Sequence, residues 1–302
     1  MSLAKNVSDT LLMKTICRSW RNRSRRPRLV RRPVPFSCVF VIIVSSWFLS
    51  TTAAAQWLQY PTAGVPKTKD GKPNLAAAAP RLADGRPDFS GVWQNDGYGA
   101  AAEGLGPVPK TPFFAVANGL GAAPPYQPWA AELAKKRAAD FGKDNPDARC
   151  LPLGSLQMMA HPLPKKIVHT PGLLVILHER NMEFRQIFTD ARPLPVDPNP
   201  SWGGYSTGTW DKDTLVVSTN GFRDGLWADF AGSPLTDAAR LTEKVRRPSF
   251  GRLEVEVTVD DPKAYTRPWT IHLDQHLSLD TDLLEYACLE NEKDVAHFPG
   301  AR

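Results

Sequence analysis

Five side chains in the second half of this sequence could do chemistry together. Arg185 lies in EFRQIF, Glu243 and Arg246 lie in LTEKVRR, and the acids Asp224 and Asp229 sit between them. An arginine beside a carboxylate in a desolvated cavity orients an acid or a carbonyl group. A carboxyl buried there has its pKa raised toward the range that suits proton transfer. Asp224, Asp229 and Glu243 are therefore the candidate acid–base groups, and Arg185 and Arg246 the candidate ligand anchors. Trp202 and Trp227, each in a long connection between predicted strands, are placed to stack on a ligand at a rim. The plainer reading makes Arg185 and Glu243 cross-strand partners on a wet outer face, and the tryptophans plugs.

Other chemistries find less support. His272, Asp274 and His276 alternate along HLDQH and share one strand face. Strand neighbours two apart lie about 7 Å from each other, so one strand does not gather three ligands around an ion. A polar outward face is expected there, and no metal. His161, His169, His178 and His297 show no ligand spacing. There is no G-x-S-x-G elbow, no phosphate loop and no Rossmann glycine pattern, so no cofactor is expected.

The elements that must position these groups are short strands. Ten runs read as β: one at Phe89-Ser90-Gly91-Val92-Trp93, then 167–170, 173–178, 183–189, 205–210, 214–219, 241–247, 252–259, 269–277 and 283–289, separated by turn chemistry such as Pro171-Gly172 and Asn220-Gly221. Leu215, Val217 and Thr219 point to one side of their strand, and Thr214, Val216, Ser218 and Asn220 to the other. Neighbouring hairpins predict a mainly β fold, an antiparallel meander closed as a lipocalin-like barrel, with a sandwich as the alternative. One helix is expected near 128–141, with Pro128 in its first turn, a stripe of Trp129, Leu133 and Phe141, and Gly142 ending it. Two connections, 190–204 and 221–240, are too long for plain turns and suit binding-site rims.

Residues 1–55 read as a secretory leader: a basic run over 21–32, the apolar stretch CVFVIIVSSWFLS, then TTAAAQ, with cleavage expected after Ala55. The apolar run is short for a bilayer span, so no stable membrane insertion is expected after cleavage; a retained anchor is the alternative. The leader holds 10 of the 37 Lys and Arg and one of the 31 acids, leaving 27 against 30 and a net charge near −3 instead of +6. The basicity is a targeting device, and nucleic acid is not an expected partner. The expected location is periplasmic or secreted, where Cys150 and Cys288 would pair; two buried free thiols are the alternative. Residues 56–88 repeat Asp70-Gly71-Lys72-Pro73 as Asp84-Gly85-Arg86-Pro87, which predicts an extended strap or a disordered arm before the β-rich domain at 89–302.

The strings DGRPDFSGVW, PDARCLPLG, RQIFTDARPLPVDPNPSW, GYSTGTWDKDTLVVSTNGF and YACLENEKD resemble a family of exported bacterial proteins of unknown function, over roughly residues 65–297. The resemblance implies export and a shared architecture, and no activity. Where relatives tend to carry Pro-His-Ser, this chain has Pro234-Leu235-Thr236. Gly91-Val92-Trp93 is similar to the G-x-W motif of lipocalins, which implies a barrel that binds small apolar molecules. Three functions follow as expectations: an exported barrel binding a small, largely apolar ligand; a cofactor-independent acid–base enzyme; or an envelope scaffold that uses the strap to reach a partner.

Overall fold

A computed structural model describes residues 60–98, 108–140, 142–288 and 290; the expected leader lies outside them. The chain is mainly β, as its alternation predicts. Nine strands close a barrel: β1 (Gly91–Asn95), β2 (Lys165–Thr170), β3 (Leu173–His178), β4 (Phe184–Phe188), β5 (Tyr205–Asp211), β6 (Thr214–Asn220), β9 (Arg240–Ser249), β10 (Arg252–Asp260) and β11 (Trp269–Leu277). They follow in that order around the wall, and β11 pairs back with β1. The two remaining strands, β7 (Leu226–Trp227) and β8 (Pro234–Leu235), form a separate ribbon between β6 and β9.

The wall is not a pure antiparallel meander. β4 and β5 run parallel, because the proline-rich segment 190–204 carries the chain back along the wall before β5 begins. That pair is registered at only two positions, Ile187 with Ser206 and Phe188 with Thr207, whereas β5 and β6 match over seven. Over its described residues, 283–288, the expected strand does not form. Tyr286 makes a single parallel bridge to Arg180, and Cys150–Cys288 holds this segment to a partner 138 residues away. Among the described residues three α-helices occur where one was expected: α1 (Val116–Leu120), α2 (Pro128–Ala139) and α3 (Ser155–Ala160). Pro128 does open α2, but the side chain this helix buries is Ala130. Trp129 stays half exposed and donates its indole N–H to the Lys263 carbonyl at 2.8 Å.

Period-two alternation fills the lumen. Ile167, Ile176, Ile187, Leu215, Val245 and Leu253 meet inside, and the void they share holds about 10 Å³. That is room for one water at most. The lumen these residues line therefore has no room for the small molecule a lipocalin-like barrel would hold. α3, buried at all six residues, stops one end. At the other end Phe89 stacks on Trp210 and His169 at 5.4 and 5.6 Å, with Arg247 over Trp93.

The repeat before the barrel is an ordered strap. Its two copies fold into equivalent loops, in which Thr68 and Leu82 donate to the carbonyls of Lys72 and Arg86, and Gly71 and Gly85 take positive φ. The strap docks on its own barrel through the Leu75 and Ala77 carbonyls, which accept from Gly251 and Phe250, and through a bidentate Arg81–Asp213 pair at 2.7–2.9 Å. This contact engages the arm that the scaffold reading needs free.

The disulfide closes the longest covalent loop in the described chain. Replacing Cys150 and Cys288 by serine is expected to lower the unfolding free energy by up to roughly 5 kcal/mol in the chain-entropy account. Urea unfolding of the oxidised protein against the double-serine variant checks this. Equal midpoints would contradict it.

Candidate functional site

A cleft of about 590 Å³ opens where the β4–β5 seam gives way. Beyond the two registered positions, 183–186 and 203–205 diverge, and the gap between them is the cleft. Its apolar wall comes from Met158 of α3, Met182, Phe184, Phe188, Trp202 and Tyr205. Ser155, His178, Glu183, Arg185 and Ser206 add the polar groups.

The seam is held from inside by Arg185. Its guanidinium forms a bidentate pair with Glu243 of β9, at 3.0 Å on the Nη1 side, and also donates to Ser206 of β5 at 3.1–3.2 Å and Thr219 of β6 at 2.9 Å. Both charged side chains are almost fully buried. They are not cross-strand partners on an outer face, because β5 and β6 separate β4 from β9 and the pair reaches across the barrel's interior. Trp202 is fixed by its neighbour: Ser201 donates its N–H to the Gly221 carbonyl and accepts from Arg223, whose guanidinium lies 4.2 Å from the Trp202 ring. Gly204 opens the seam at φ +68; a Cβ there would sit 2.7 Å from the Asn220 carbonyl.

Arg185 and Trp202 thus line the cleft together, with Glu243 paired to Arg185 behind it, and the other expected site residues lie elsewhere. Asp224 is exposed on the loop before β7, away from the cleft lining. Asp229 is buried outside the cleft, where its carboxylate accepts from the backbone N–H groups of Val116, Gly232 and Ser233 and from the Ser233 hydroxyl. Burial pushes its pKa up against those four bonds, and the bonds tie α1 to the β7–β8 ribbon. Trp227 is a buried plug with Arg137 over its ring at 4.3 Å. Arg246 points outward and pairs with Glu254 at 2.6 Å. His272 and His276 also face outward, His276 to Asp96, and the described residues contain no His, Cys, Asp and Glu cluster able to hold a metal.

Three groups went unread in the sequence. Glu183, on the cleft wall, has its pKa raised to about 7 by burial, against a backbone hydrogen bond from Leu153 and the charge of Arg180; its Oε1 is buried without a partner among the described residues. His178, at the cleft floor, is the cross-strand partner of Lys165. Burial, then the charges of Lys165 and Arg185, keep His178 well below the usual imidazole range. Lys165 is fully buried, its Nζ has no partner among the described residues, and burial pulls its pKa down to about 7. Burial and Lys165 together bring His161 down to about 3. Alternation was the available signal, since Lys165 shares parity with inward Ile167, and His178 with Leu174 and Ile176.

Compared with known proteins, the chain matches no family model, no curated protein and no solved structure.

Lys165 makes a signed prediction. Its amine titrates at about 7 when folded and near 10.5 when unfolded. Between those values the unfolded chain holds the extra proton, so this group's contribution to stability rises with pH across the window, and its penalty is complete at pH 7 and below. Lys165→Met is expected to stabilise the fold by up to roughly 5 kcal/mol near neutrality. The gain should shrink steadily as pH approaches 10.5. Urea melts of both proteins at several pH values read this out, and a gain that does not vary with pH would contradict it.

Proposed function

We propose that this protein is an exported β-barrel that binds a small, largely apolar ligand in the cleft beside the β4–β5 seam. The observation that carries the proposal is the cleft itself: about 590 Å³, walled by methionine and aromatic side chains, with a few polar groups converging at its floor. Sites for small molecules have this size and this composition. The ligand lies in the wall and not in the lumen, which the chain's own side chains fill. Export is supported by the leader-like sequence at 1–55 and by the Cys150–Cys288 disulfide. Among the described residues no helix is long and apolar enough to cross a membrane. The strings similar to exported bacterial proteins point the same way.

Glu183 favours a second reading, cofactor-independent acid–base catalysis in the same cleft. Its carboxyl, held at about 7, stands where that chemistry needs it, a position neither Asp224 nor Asp229 reaches. Under this reading Glu183→Gln abolishes turnover and leaves the melting temperature nearly unchanged.

Titration with an apolar fluorophore such as N-phenyl-1-naphthylamine tests ligand binding. Uptake by the wild-type protein is expected, with affinity about tenfold weaker in Trp202→Ala, the loss of one stacking surface. Arg246→Ala, on the outer face, should bind as the wild type does. No uptake, or equal binding by Trp202→Ala, would overturn the proposal.

A further inference from the structure

We propose that the ligand of this cleft carries an anionic head group, seated at His178 between Arg185 and the buried Lys165, with its apolar part over Met158, Met182 and Trp202. The inference rests on the ligand-binding reading above and adds the ligand's charge. Two basic side chains, His178 of β3 and Arg185 of β4, line the cleft; behind them Lys165 of β2, the cross-strand partner of His178, is fully buried, and His161 is buried at the end of α3. The carboxylate facing them from across the barrel is Glu243, and Arg185 already holds it. The other charged groups nearby are engaged too, Arg180 with Asp147 and Glu179 with the Leu284 N–H. Among the described residues Lys165 is left as a buried amine without a partner.

A buried amine with no partner costs the fold stability unless something offsets it. An anion against His178 would do so. His178 borders both the cleft and Lys165, so a negative charge beside its ring favours the protonated form of each. Glu183, the carboxyl on the cleft wall, keeps its proton up to about pH 7 and opposes an anion little below that. A cationic head group would meet Arg185 and Lys165 and be repelled. A neutral one would gain only its apolar contacts.

The sign of the coupling follows. With Lys165 titrating near 7, an anion must draw a proton onto the protein above that pH and finds it already bound below. Anion affinity should therefore tighten as pH falls from 9 to 6, with net proton uptake at pH 8.

Calorimetry with decanoate, decanol and decylammonium, in buffers of different ionisation enthalpy, tests this on the mature protein. Decanoate is expected to bind at least tenfold tighter than decanol at pH 7, with proton uptake, and decylammonium weakest. Lys165→Met should lose most of that advantage and the uptake. Equal affinities for decanoate and decanol, or an unchanged preference in Lys165→Met, would overturn the anionic assignment and leave the cleft as an apolar site. Failure of all three amphiphiles to bind the wild-type protein would overturn both readings.

Discussion

A closed ring of nine strands cannot alternate in direction all the way round, so at least one neighbouring pair must run parallel. In this barrel that pair is β4–β5, and its hydrogen-bonded register covers two positions. The buried pair between Arg185 and Glu243 is the constraint on which the wall depends. One guanidinium from β4 contacts side chains on β5, β6 and β9, and thereby ties together four consecutive strands that the backbone ladder joins poorly at its first step. Buried charges are costly unless fully partnered, and this one is nearly saturated, with Glu243, Ser206 and Thr219 all accepting from it.

The same seam makes the site. Where the register ends the two strands diverge, and because side chains and α3 fill the lumen, the cleft lies in the wall. The ion pair therefore holds the barrel closed beside the gap, and its Arg185 adds a polar group to the gap's lining. The strap's hydrogen bonds to Phe250 and Gly251 and the Phe89–Trp210 stack lie at the opposite end of the strands from this seam.

Much of this was legible in the residues. Period-two alternation at Leu253, Val255, Val257 and Val259, and at Leu215, Val217 and Thr219, does place those side chains inward, and the barrel follows from it. The strand alternation places Arg185 and Glu243 inward, where they pair, and the long 190–204 connection does bring Trp202 to the cleft. Asp224 and Asp229 misled, because spacing along a loop does not say which way a carboxylate turns; Asp229 turns to backbone amides and Asp224 to solvent. Arg246 was misread by one step of parity, since its neighbours Val245 and Arg247 are the inward residues. Lys165 lies two residues before the strand expected at 167–170, and only the three-dimensional register shows it shut in between Trp93 and His178. The parallel seam could not be seen at all, since it depends on which strands meet when the ring closes.

The most direct test of the central role given to this pair is a double-mutant cycle on Arg185→Met and Glu243→Leu, with amide hydrogen exchange followed at Ile187, Phe188, Ser206 and Thr207. Each single variant is expected to lose about 3–5 kcal/mol of stability, because it leaves one buried charge unpaired; the double variant should lose far less than their sum, with exchange at the seam accelerated in both singles. Additive losses below about 1 kcal/mol each, with seam exchange unchanged, would show that the wall closes without this pair and would contradict the account.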